Sequence, residues 1–282
     1  MPNLNDLKDE FAELGTFKTI ASAFAESSVV KLKNLRVGFD QNRSFYDEIS
    51  HVYHLVKYNA NKKKANLIKT SQTEGGKNKA VLIAVTSNLR FYGSLNADIM
   101  IKFMKESERK DVDLMVIGST GNDYLKGSTF GKKYQTMTFK SDNPDQNEIQ
   151  EFIEKTKMYQ SIILLYPKFF SLMSVMVGMV DITHTAVLQK HDVTEDLECL
   201  FEPELYKILD FFERQVRHVL FLRVLLETEL ARTAARLIAM TGAEERSDAL
   251  LREKRSEIIK ISHSIINTEL LETFAGMRLW KK

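Results

Sequence analysis

Leu4, Leu7, Phe11 and Leu14 recur at intervals of three, four and three, the rhythm of an apolar coiled-coil seam. Phe17, Ile20 and Phe24 continue it with one short step, which predicts a locally overwound supercoil. Leu32, Leu35 and Phe39 carry the stripe on, followed by Ile49, Val52 and Val56. No proline interrupts Asn3–Lys79, and Asn5 or Asp6 can satisfy free backbone N–H groups at the start. Residues 1–58 are therefore read as one long helix. Residues 59–79 turn polar, with Lys62-Lys63-Lys64 and then Thr70 to Gly76, and read as a solvated linker.

The period changes at Ala80. Ala80–Val85, Leu114–Ile117 and Ile162–Tyr166 are short continuous apolar runs, the pattern of strands buried on both faces. Leu95–Glu108 and Glu148–Met158 between them have helical spacing. Strands alternating with helices predict a parallel sheet covered by helices, because parallel strands need crossover connections. Tyr134–Phe139 alternates as an edge strand does. Gly118–Gly131, with four glycines, reads as a loop region. Phe169–Val177 and Asp181–Leu188 read as a closing antiparallel pair. Residues 80–200 thus form a Rossmann-like α/β domain.

After Phe201-Glu202-Pro203 the helical period returns, with Leu205, Leu209, Phe212, Val216, Val219 and Leu226 on its stripe. Some 70 helical residues span ~100 Å at 1.5 Å each, so residues 201–282 need a partner along their length. The N-terminal helix is the simplest one. The fold class expected is α/β with a long antiparallel coiled coil of the two terminal helices. Ala231, Ala234, Ala235 and Ala239 offer a face for close approach. Thr241–Lys260 carries ten charged residues, so that stretch is exposed over much of its circumference.

Composition narrows the function classes. Forty Lys+Arg against 38 Asp+Glu leave +2, which excludes a strongly basic nucleic-acid coat. One cysteine, Cys199, excludes an intramolecular disulfide. No apolar run reaches the ~18–20 residues of a membrane helix, and Met1–Asp6 has no secretory character. Candidate chemistry is thin. Gly127–Lys133 echoes a phosphate loop, but three residues separate its glycines and Lys133 stands where Ser or Thr should hold Mg²⁺, so a plain loop is the better reading. His51 and His54 lack a second ligand pair, and Met173, Met176 and Met179 read as core filling. Glu227 and Glu229 read as a solvated face. The residues alone point to no catalytic, cofactor or metal site.

Several local patterns fall in a telling order. Glu227 precedes Ala234-Ala235-Arg236-Leu237-Ile238-Ala239-Met240; Glu269-Leu270-Leu271-Glu272 is followed by Ala275-Gly276. Thr86-Ser87-Asn88 and Gly93-Ser94-Leu95-Asn96 follow the first strand, with Tyr166-Pro167-Lys168-Phe169 later. Ile20, Ala23, Phe24 and Lys31-Leu32 mark the first helix. In this order and spacing the chain resembles the gamma subunit of F-type rotary ATP synthases over essentially its whole length. It departs from that pattern at Thr19, Ser22, Phe24, Ser262-His263 and Asn267. The resemblance implies a non-catalytic central-stalk rotor without a cofactor, peripheral on the cytoplasmic face of an energy-coupling membrane. Its implied partners are the alpha and beta subunits of the catalytic ring, the epsilon subunit and the membrane c-ring, with no nucleic acid. The implied contacts are Phe24, Glu229 and Arg232 near the middle of the shaft. Ser262, His263, Asn267, Glu269 and Glu272 lie nearer its C-terminal end, and Arg246, Arg252, Lys254 and Arg255 are placed to face acidic ring surfaces. Two other classes compete: a coiled-coil adaptor with an α/β head, and an enzyme with its site at the strand ends of the sheet.

Overall fold

The computed structural model describes residues 4–63, 80–109, 112–159, 161–182 and 205–279. Most of the expected linker, Cys199, Phe201-Glu202-Pro203, the segment after Ile182, and the side chains of His51 and His54 lie outside what is described. Helix α1 spans Leu4–Lys63 and the final helix, α5, spans Leu205–Leu279. Between them run β1 (Ala80–Val85), α2 (Leu95–Arg109), β2 (Asp113–Ile117), α3 (Ser119–Lys126), β3 (Gln135–Met137), α4 (Gln146–Thr156), β4 (Ser161–Ser171) and β5 (Ser174–Asp181).

The chain divides into two compact units, one of Met1–Val29 with Arg236–Lys282 and one of Val30–Ala235. The change of period at residues 58 and 201 is thus not where compactness divides. Both long helices are cut in their interiors, because part of each packs with the sheet.

In the first unit α1 and α5 lie antiparallel. Lys18 Nζ meets Asp248 Oδ1 at 2.7 Å and Lys254 Nζ meets Glu10 Oε2 at 2.7 Å, so partners advance on one helix as they retreat on the other. The seam of α1 differs from the one its bulky residues predict. Leu4, Leu7, Phe11, Leu14, Lys18, Ala21, Ala25 and Ser28 are covered, in unbroken alternation of three and four, with Gly15 and Ser22 half-covered beside them. Phe17, Ile20 and Phe24 are instead 64%, 49% and 42% exposed. An even seven-residue period keeps one stripe on the partner, so regularity outweighs side-chain bulk and no overwound step is needed. Ala21, Ala25 and Ser28 are small, which permits close approach. Beyond Ser262 every described side chain of α5 is exposed.

In the second unit the strands form one sheet, in the order β3-β2-β1-β4-β5. β1 to β4 run parallel and β5 returns antiparallel. The apolar runs of β1, β2 and β4 are buried on both faces, as continuous runs require. One face meets α2 through Leu82, Ala84, Ile99 and Phe103. The other packs Val81, Ile83, Ile162 and Leu164 with α4 and with Val216, Leu220, Phe221 and Val224 of α5. Phe152 and Phe221 stack with centroids 4.0 Å apart. Leu32 of α1 joins Leu230 and Ala234 of α5 in a smaller cluster.

Three expectations are corrected here. The third apolar run and Phe169 belong to one eleven-residue strand, and its antiparallel partner starts at Ser174 rather than Asp181. Met173, Met176 and Met179 are not core filling, because they sit on this outer hairpin and are 86%, 53% and 49% exposed. The Gly118–Gly131 stretch is not all loop but holds α3. Gly118, at φ 101°, makes the turn out of β2, and a Cβ there would lie 2.3 Å from the Thr86 carbonyl oxygen.

Candidate functional site: the buried junction of helix and sheet

The C-terminal ends of the parallel strands, where open α/β sheets commonly hold ligands, are filled by the protein itself. The Thr86 hydroxyl donates to the Ile117 carbonyl at 2.6 Å and accepts the Gly121 N–H at 3.1 Å. The Asn88 side chain donates to Phe139 O at 2.7 Å and accepts the Ser119 N–H at 3.0 Å. The carboxylate of Asp142, after β3, accepts the Asn88 N–H at 2.6 Å and the Tyr92 hydroxyl at 2.7 Å. Above these loops lies Arg232 of α5, 5% exposed, with Nη1 3.5 Å from the Asp142 carbonyl oxygen. The space beside Arg232, Thr86, Asn88 and Asp142 is about 10 Å³, the room of one water. The phosphate-loop echo is likewise spent: Lys132 donates to the Ser107 carbonyl at the end of α2.

Three charged residues of α5 are buried at this junction. Glu229 accepts from Lys31 Nζ of α1 at 2.9 Å and is 7% exposed. Arg232 is surrounded by Asp142, Tyr92 and Glu229. Burial pulls its proton affinity down and those three pull it back up. Glu227 accepts the Tyr166 hydroxyl of β4 at 3.0 Å. Burial raises the Glu227 pKa against the lowering effects of the Tyr166 hydrogen bond, Lys168 and Arg223. Burial first, and then Glu227, pushes the Tyr166 phenol well above its ordinary value. Glu229 and Arg232, read from the sequence as shaft contacts, are therefore buried: Glu229 pairs with Lys31, while Arg232 keeps the one contact to Asp142 O and its Nε and Nη2 have no hydrogen-bond partner among the described residues. The solvated reading of Glu227 and Glu229 fails for the same reason. A period count shows which side of a helix they occupy but not that α1, β4 and a loop converge there.

The remaining sequence candidates lie on the surface of α1 and α5. Phe24, Arg246, Arg252, Arg255, His263, Asn267, Glu269 and Glu272 are exposed and Ser262 is half-buried. Lys254 is held by Glu10 and lies 3.6 Å from Glu257, and the Glu10 hydrogen bond chiefly raises its pKa. Phe17 and Ile20, assigned to the seam by their bulk, join Phe24 on the outer face.

A pH test isolates Glu227. The folded chain holds its proton to a higher pH than the unfolded chain, whose value is near 4.5. In the window above 4.5 the native state therefore binds more protons, and this group's contribution to stability falls as pH rises. Glu227→Gln keeps an acceptor for Tyr166 and removes the charge. Its melting temperature relative to wild type is expected to climb from pH 4 to pH 8. A constant difference across that range would show that burial does not shift this carboxyl.

The geometry defines a class: an α/β sheet whose strand ends grip a long helix. A family profile described as ATP synthase matches residues 3–278. The chain is 22% identical to the ATP synthase gamma chain of Mycoplasmoides gallisepticum, over 98% of this chain and 99% of that one. It is 21% identical to that of Clostridium novyi, over 96% and 95%. The fold is similar to a chain of the Tetrahymena thermophila mitochondrial ATP synthase central stalk and c-ring structure. That match has TM-score 0.60 and 18% identity, over 79% of this chain and 99% of that one. A chain of the Euglena gracilis mitochondrial enzyme matches at TM-score 0.56 and 14% identity, over 91% and 94%. The protein belongs to the ATP synthase gamma-chain family. Among the described residues no helix is long and apolar enough to cross a membrane.

Proposed function

We infer that this chain is the central-stalk rotor of an F-type ATP synthase, turning inside a ring of alpha and beta subunits and standing on a membrane c-ring beside an epsilon subunit. The observation that carries this reading is the family match over residues 3–278, joined to a pair of long antiparallel helices that leave the tip of α5 uncovered. The rotor does no bond chemistry, and nucleotide turnover belongs to the ring. A contact shifts a conformational equilibrium only by its different affinity for the states. An asymmetric shaft therefore favours a different state in each catalytic subunit as it turns. Phe17, Ile20 and Phe24 supply an apolar face for such contacts. Arg246, Arg252 and Arg255 supply charge, and Ser262, His263, Asn267, Glu269 and Glu272 line the tip. The chain is peripheral, on the cytoplasmic face of the membrane.

The test is co-purification of the tagged chain with a six-membered nucleotide-binding ring, followed by truncation. Removing Ser262–Lys282 is expected to weaken ring-coupled ATP turnover while the sheet unit still folds. Capture of the chain without any such ring would favour the coiled-coil adaptor.

A further inference from the structure

We propose that Glu227, Glu229 and Arg232 are the positioning residues through which the sheet unit holds α5 against twisting, so that torque passes between sheet and helix at this point. The proposal rests on the rotor reading and adds where the coupling is made within the chain.

Apolar packing resists separation and, through interdigitated side chains, rotation of a helix about its own axis, but its attraction is non-directional and directional bonds add stiffness to that steric fit. The Val216–Leu225 stretch of α5 packs on the sheet in that way. The next turns change in kind. At 3.6 residues per turn, Glu229 and Arg232 stand roughly 200° and 140° around the axis from Glu227. Their partners come from separate elements: Tyr166 from β4, Lys31 from α1, and Asp142 from the loop after β3. The attachments therefore oppose twisting in either sense. Directional, charge-assisted bonds are stiff where an end is screened from water, as the Glu227 and Glu229 carboxylates are here. Lys31 and Glu229 form an ion pair, Asp142 reaches the β1 loop through Tyr92 and Asn88, and Arg232 lies between the two groups, drawn to both by charge. A helix anchored only for stability has no need of charge here, since apolar residues of similar volume commonly serve as well or better.

The experiment uses the assembled ring complex with the rotor's sheet unit carrying a rotation probe. The ring is stalled with a non-hydrolysable nucleotide, and the angular variance of the probe is recorded. Arg232→Met and Glu229→Gln are expected to raise that variance about twofold, as when one of several attachments acting together is cut. Lys31→Gln changes only a half-exposed side chain and sets no like charge beside Glu229, so it serves where a buried variant fails to assemble. It is expected to raise the variance too, and Lys31→Arg, which keeps the cation, is expected to leave it at the wild-type value. Melting temperature is followed in parallel, because a purely structural role lowers it without changing the variance. Wild-type variance in Lys31→Gln, or a raised variance in Lys31→Arg, overturns the proposal. A wild-type complex that shows no ATP-driven rotation overturns the rotor reading instead.

Discussion

Replacing Gly118 with alanine is expected to cost the sheet unit more than about 3 kcal/mol, because strain and collision act together there. The glycine has φ 101°, a region L side chains rarely adopt. A new Cβ would lie 2.3 Å from Thr86 O, 2.7 Å from its carbonyl carbon and 2.8 Å from its hydroxyl. None of these is the loose end of a flexible side chain. The Thr86 N–H donates to Ile117 O at 2.8 Å and the Gly118 N–H to Met137 O at 2.9 Å, so the backbone cannot yield without breaking the ends of three strands. Thermal unfolding of the full chain is expected to begin about 10 °C lower, at 2–4 °C per kcal/mol for a unit of this size. A melting curve indistinguishable from wild type would mean that the turn out of β2 is not as described.

The second large effect is expected at Phe221. Its ring is fully buried and stacks on Phe152 of α4 at 4.0 Å and 14° between planes. Phe221→Ala removes that stack and opens a cavity between α5, α4 and the sheet, at a cost of about 3–5 kcal/mol. Phe221→Leu refills part of the volume and is expected to lose less. The location of the loss matters as much as its size. Amide exchange should rise together in Gln146–Thr156 and in the part of α5 that packs on the sheet, while β1 and β2 change least. Faster exchange in α4 alone would show that α5 is held by something other than this contact.

The sequence discloses this fold unevenly, for physical reasons. β1 is legible to the residue and β2 to within one, since a strand buried on both faces must be apolar throughout. The start of β5 is not, because the turn from Ser171 to Ser174 carries Leu172 and Met173 rather than glycine, proline or asparagine. α3 hides because Gly118 and Gly121 look like loop chemistry, yet the first supplies a turn and the second a close approach to Thr86. On α1 the misreading lies in following bulk: Phe17, Ile20 and Phe24 attract attention, while the seam runs through Lys18, Ala21 and Ala25. Lys18 is a polar break in that seam, balanced by Asp248, whose carboxyl the Lys18 hydrogen bond holds below its ordinary value. The junction was least legible of all. Nothing local to Glu229 or Arg232 reveals Lys31 or Asp142, and an acid and a base three apart on a helix ordinarily face solvent.

The pairing of Lys18 with Asp248 and of Glu10 with Lys254 joins two helices more than 200 residues apart along the chain. During synthesis α1 leaves the ribosome well before its complement. At about 5–20 residues per second, the nascent helix waits tens of seconds with both its seam and its Phe17–Phe24 face uncovered. Chaperone engagement early in translation, or delivery straight to a waiting assembly, is the biogenetic demand that this order of elements creates.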